Sequence, residues 1–183
     1  MEESLALARK ARDGNEIAFA IWQFGRSASF QGDYEHAIPF LEEALTIYRA
    51  IKNPGGVSFL LGDLGKAALL KGDPRQAIVY YKELLALHWN SGNERNNAFG
   101  LEQLANVAVA QPQPKRAARL FGAADAVREA SGVALYPYQV QDYENNLEAL
   151  SPQLDEAAFA ARWAEGRAMS MQQAVAYALQ EAE

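Results

Sequence analysis

Ile21-Trp22-Gln23-Phe24-Gly25 returns without gaps as Leu61-Gly62-Asp63-Leu64-Gly65 and again as Leu101-Glu102-Gln103-Leu104-Ala105. Gly25, Gly65 and Ala105 are 40 residues apart, and the rest of each unit keeps step. A small residue follows three positions later, at Ala28, Ala68 and Ala108. Further on come Ala37, Ala77 and Ala117, then the large apolar Leu41, Tyr81 and Phe121, then Ala44, Leu84 and Ala124. Between the halves lie Gly32-Asp33, Gly72-Asp73-Pro74 and Pro112-Gln113-Pro114. Such turns stop one helix and start the next, Asp being a good N-cap.

The period describes helical hairpins. Within each half, apolar residues recur at spacings of three and four, so each helix has one buried face. The pattern predicts helices over 15–31 with 34–51, 56–71 with 74–90, and 94–110 with 113–131. The small residues let the two antiparallel helices approach, and the large ones are expected to fill the space between neighbouring hairpins. One hairpin cannot bury its apolar face alone; stacking makes the core continuous.

Both ends depart from the repeat. Met1-Glu2-Glu3-Ser4-Leu5-Ala6-Leu7 matches Leu41-Glu42-Glu43-Ala44-Leu45-Thr46-Ile47, again 40 residues away. Residues 1–13 therefore read as the second helix of a truncated repeat, which makes the sequence a fragment of a longer protein; a free-standing protein with a half-repeat cap is the alternative. After Gly132 the period breaks. A helix is expected from Tyr136-Pro137-Tyr138 to Leu150, ended by Ser151-Pro152, and another from Leu154 to Arg167 with Phe159 and Trp163 on one face. Ser170 and Gln173 form a capping-box pattern ahead of an apolar stripe of Met171, Ala174, Val175, Ala178 and Leu179.

The order Leu, Gly/Ala, small, Ala, aromatic, Ala resembles the tetratricopeptide repeat (TPR), whose usual period is about 34 residues. The longer period here implies helices longer by a turn or so. The family's tryptophan position is held by Ile21, Leu61 and Leu101, its tyrosine by alanine, and Arg49 stands where a closing proline would be. The fold expected is all-α: a right-handed α-solenoid of TPR-like hairpins forming one domain over 1–183, with repeats at 15–51, 56–90 and 94–131 and capping helices over 134–183. The stretches Arg116–Ala124, Ala158–Met169 and Ala174–Leu179 are similar to the C-terminal ends of large bacterial signalling ATPases, including LuxR-type transcriptional regulators. That resemblance implies a sensor or scaffold arm behind a nucleotide switch and an effector domain. A free-standing adaptor is the alternative, and an enzyme domain is the least favoured reading.

Composition narrows the choice. Half of the 183 residues are hydrophobic and 22% are charged, as in globular proteins. A formal net charge of -6 disfavours a duplex nucleic-acid binder, which needs a basic face. With no cysteine there are no disulfides or thiolate zinc sites. No apolar run approaches the roughly 18 residues of a membrane span, so a cytoplasmic protein without membrane contact is expected.

No catalytic residues, metal ligands or cofactor motif are expected. Asn53-Pro54-Gly55-Gly56 lacks the spacing and lysine of a phosphate-binding loop and reads as an inter-repeat turn. Neither histidine, His36 or His88, has a second ligand at helical spacing; each reads as a surface or packing residue. Adjacent carboxylates such as Glu42-Glu43 point about 100° apart on a helix and so form solvated faces rather than a dyad.

The TPR resemblance places a binding surface on the concave face formed by the first helix of each hairpin. It points to Phe19, Trp22, Arg26, Ser29 and Phe30, to Phe59, Gly62, Lys66 and Leu69, and to Phe99, Glu102, Asn106 and Val109. Phe19, Phe59 and Phe99 would form a ladder, with packing between first helices as the alternative. Arg26 and Lys66 would meet a carboxylate or phosphate, with ordinary solvated charges as the alternative. Asn106 would pair with the backbone of an extended peptide. Trp22 is the favoured anchor, with packing against the truncated repeat as the rival reading. The partner expected is a protein or peptide, or a small-molecule effector. Self-association through the truncated half-repeat is also expected.

Overall fold

The computed structural model describes residues 13–92, 94–132, 134–135, 137–150 and 152–180. Everything expected of the truncated repeat, including self-association through it, lies outside the described residues. Among them are nine helices and no strand: α1 (Gly14–Phe30), α2 (Tyr34–Ala50), α3 (Pro54–Lys71), α4 (Pro74–Asn90), α5 (Glu94–Ala110), α6 (Pro114–Ser131), α7 (Pro137–Leu150), α8 (Glu156–Arg167) and α9 (Met171–Leu179). The fold is all-α and TPR-like. Two compact units divide between Leu84 and Leu85, inside α4.

In the first unit α1 packs on α2, α2 on α3, and α1 touches α3. Each start is set locally. Asp13 accepts hydrogen bonds from the Asn15 and Glu16 amides, Asp33 from His36, Asn53 from Gly56 and Asp73 from Gln76, satisfying amides that a helix N-terminus leaves unpaired. Gly55-Gly56 corrects an expectation: it is the first turn of α3 and no loop. Pro54 supplies the helical φ at N1, and Asn53 caps the turn. A Cβ on Gly56 would lie 2.5 Å from the Tyr48 ring, so glycine there admits a side chain from α2.

The repeat's glycines have the same logic. A Cβ on Gly25 would lie 2.7 Å from Leu41, and one on Gly65 would overlap the Tyr81 ring. Both pairs are 16 residues apart. In these two hairpins the large residue of the second helix thus sits on the glycine of its own hairpin, whereas the sequence pattern alone suggested that it filled the gap between hairpins.

In the second unit α5 packs on α6, α7 touches both, and α9 packs on α5 and α6. α8 lies against α6 at backbone contact. A Cβ on Gly122 would overlap the Trp163 carbonyl, and one on Gly166 the Arg119 carbonyl. Arg119 pairs with Glu165 at 2.5 Å, and Arg167 reaches Asp125 and Glu129. The capping box at Ser170 and Gln173 is formed, and Ala174, Val175 and Ala178 are buried. The Arg116 guanidinium donates to the carbonyls of Tyr177, Ala178 and Gln180, closing the C-terminal end of α9 with a positive charge where the helix dipole favours one.

Candidate functional site: an aromatic face on α1 and α3

The open face of α1 and α3 gathers most of the first unit's expected binding residues. Trp22 is its centre. Its ring stacks on Phe59 at 5.7 Å between centroids and meets Phe19 edge-on at 5.8 Å. Its indole N–H donates to Asp63 Oδ2 at 2.6 Å. Trp22 thus packs forward onto the following repeat. Phe19, Phe59, Phe30 and Leu70 stay 47%, 64%, 81% and 56% exposed, although burying such side chains is favourable.

Charge is concentrated on the same face. The Arg26 guanidinium lies 5.2 Å from the centre of the Trp22 ring and 5.7 Å from that of Phe30, within range of a cation–π attraction. Asp63 lies within electrostatic reach of Arg26 and Lys66. Burial pushes its carboxyl above the usual range, while the Trp22 donor and the two cations pull the other way. Asp63 was not among the residues the sequence singled out. Its signal was the one carboxylate in a mainly apolar, glycine-rich helix, four residues after Phe59 and three before Lys66.

The remaining expected residues separate. The Ser29 hydroxyl is enclosed and makes no hydrogen bond in the structure. Phe99 is half-buried, on α5 of the second unit. Asn106 donates to Gln103 at 3.5 Å, and its Oδ1 is enclosed and without a partner. Glu102 was expected on the ligand face but is turned inward, 4% exposed, in a 2.6 Å ion pair with Arg128. The physical reason is angular: the residue after Leu101 sits about 100° around the helix, looking sideways. In the first unit that direction carries Trp22 onto α3. In the second it carries Glu102 towards Arg128, whose guanidinium lies 4.9 Å from the centre of the Tyr143 ring on α7.

The histidines divide as surface and packing residues. His36 is exposed and holds Asp33 at 2.8 Å; its hydrogen bond draws the Asp33 carboxyl below the usual range. His88 is buried with Nδ1 2.9 Å from the Asn96 carbonyl oxygen, and burial lowers its pKa. Among the described residues no group of three or more His, Asp or Glu side chains is gathered to hold a metal, and no helix is long and apolar enough to cross a membrane.

Comparison with known proteins agrees with this construction at one repeat. Residues 20–51, the greater part of α1 and all of α2, match the family described as tetratricopeptide repeat. No curated protein matches the chain. The hairpins and the matched repeat together make this a TPR-like helical-repeat protein, of the kind whose repeats serve as protein-interaction modules.

Proposed function

We propose that the aromatic face of α1 and α3 docks a protein segment carrying an apolar side chain and a carboxylate. The observation that supports this reading is the exposure of Phe19, Phe30 and Phe59 around a Trp22 that is fixed from beneath by Asp63. An apolar cluster left in water marks an interaction surface, and a rigid tryptophan is a favourable anchor. Arg26 and Lys66 give the face a positive surplus in a chain of formal net charge -6, which selects an acidic partner. Ser29, whose hydroxyl is enclosed, acts through packing.

The module serves, in this reading, as the C-terminal sensor or scaffold arm of a multidomain bacterial signalling or transcription regulator in the cytoplasm. Its support is the likeness of Arg116–Ala124, Ala158–Met169 and Ala174–Leu179 to the ends of such proteins. A nucleotide-switch domain encoded upstream in the same reading frame is the expected finding; its absence there returns the module to a free-standing adaptor.

Docking is tested with an array of short peptides and fluorescence anisotropy of the best binders. The expected winners combine Phe, Trp or Leu with Asp, Glu or a free C-terminus, and Phe59→Ser or Arg26→Glu weakens them about tenfold. Peptides that bind equally well to both variants would place the docking surface elsewhere.

A further inference from the structure

The aromatic face of α1 and α3 is ordered along its length. Phe19 and Phe59 lie towards the N-terminal ends of the two helices, Phe30 and Leu70 towards the C-terminal ends, and Arg26 and Lys66 between them; the members of each pair are 40 residues apart. Trp22 stacks on Phe59 and donates to Asp63, the residues three before and one after its own equivalent, Gly62. The two helices therefore lie side by side in register, and the three pairs form rungs: apolar, basic, apolar. All four side chains of the apolar rungs are exposed.

The spacing decides which conformation of a partner meets all three rungs. On each helix the apolar rungs are eleven residues apart, and the basic rung stands seven residues from the first and four from the second. Eleven helical residues rise about 16 Å and complete three turns, so the rungs share one side of their helix. A partner helix laid along α1 and α3 repeats that interval and presents its own residues, eleven apart, on one side. An extended segment covers about 16 Å in five residues, and side chains five apart on a strand point to opposite faces. It fills one apolar rung and turns away from the other. Gly62 leaves α3 without a side chain between Phe59 and Lys66, and an added Cβ there would meet nothing within 4 Å. Asp63 lies within electrostatic reach of Arg26 and Lys66 and offsets one of the two, so the middle rung keeps one positive charge.

We infer that the partner segment is an amphipathic helix lying along α1 and α3, with two large apolar side chains eleven residues apart and a carboxylate between them. This rests on the docking role of the same face and names the form of its partner. One apolar side chain sits on Phe19 and Phe59, the other on Phe30 and Leu70, and the carboxylate meets the basic rung of Arg26 and Lys66. Burial of both apolar rungs drives the association, and the charge between them sets the register.

The test uses the whole chain and an alanine-based peptide with two leucines eleven residues apart and glutamates four and seven residues after the first, a helical pattern that reads alike in both directions. Fluorescence anisotropy gives its affinity, and transferred nuclear Overhauser effects give its bound conformation. The expected result is binding with the amide–amide contacts of a helix, weakened about tenfold by Phe59→Ser and about as much by Phe30→Ser, one at each end of the face. A proline between the glutamates breaks the peptide helix and weakens binding at least about tenfold. Phe59 and Phe30 are 64% and 81% exposed, so both variants keep the fold. An extended bound peptide, equal binding of the proline peptide, or loss with Phe59→Ser but none with Phe30→Ser overturns the helix and leaves the docking role standing. No binding of the helical peptide up to about 1 mM, the weak end of recognition, also overturns it; the docking role falls with it only if the short-peptide array yields no binder either.

Discussion

Trp22 and Asp63, 41 residues apart, are joined by a 2.6 Å hydrogen bond from the indole N–H to the carboxylate. One bond therefore connects two consecutive repeats and sets the orientation of the ring at the centre of the exposed aromatic face. Trp22→Phe keeps an aromatic ring but removes the donor, leaving the half-buried Asp63 carboxylate without that hydrogen bond. The expected cost is about 1–3 kcal/mol in denaturant unfolding. Trp22→Phe in an Asp63→Asn background should cost less, because the acceptor left behind is uncharged.

Asp63 also has a pH signature. Its folded pKa is raised, burial being the largest cause, so the unfolded state releases this proton first. The group's contribution favours folding at acid pH and is lost as pH rises through the folded pKa. Asp63→Asn should therefore gain stability relative to the native chain between about pH 4, the ordinary aspartate value, and neutrality. Thermal unfolding at both pH values, native against variant, checks the sign.

His88 runs the opposite way. Burial lowers its pKa in the fold, so the unfolded chain takes up the proton first. The stabilising contribution of the neutral ring is complete above the ordinary histidine value of about 6.5 and falls away as the solution is acidified. His88→Gln should flatten the unfolding free energy between about pH 6.5 and 5. An unchanged slope would mean that the ring is not held neutral at the α4–α5 turn.

The α6–α8 contact makes a sharp prediction because glycines with opposite surroundings are available. Gly166 faces the Arg119 backbone, and a Cβ there must displace main chain. Gly166→Ala should cost about 2 kcal/mol or more. Gly62, inside α3, has nothing within 4 Å of an added Cβ. Gly62→Ala should stabilise by about 0.5–1 kcal/mol through helix propensity and the unfolded chain. Paired denaturant titrations decide both.

The Glu102–Arg128 pair is the costliest place to lose one partner. Both residues are under a tenth exposed. Arg128→Met leaves a buried carboxylate unpaired and should cost about 3–5 kcal/mol, whereas the double variant Glu102→Leu, Arg128→Met should recover much of it. Chemical denaturation of the singles and the double completes the cycle.

The hairpins were legible from Gly25, Gly65 and Ala105 with their 40-residue partners, because a close helix crossing demands a small residue and sequence periodicity records that demand directly. The capping box at Ser170 was legible for the same reason: its interactions span three residues. Gly55-Gly56 misled because glycine pairs usually break helices, and only the Tyr48 ring from the preceding helix explains why they open one. The clustering of Phe19, Trp22, Arg26 and Phe59 followed from register. The inward turn of Glu102 did not, since the same register position that holds Trp22 is covered in the second unit. Sequence by itself determined which faces of which helices are apolar, since that depends on residue spacing within a helix. Tertiary structure alone decided which polar residues are drawn from water, half-buried Asp63 beneath Trp22 and buried Glu102 beside Arg128, because burial of a charge depends on partners supplied from dozens of residues away.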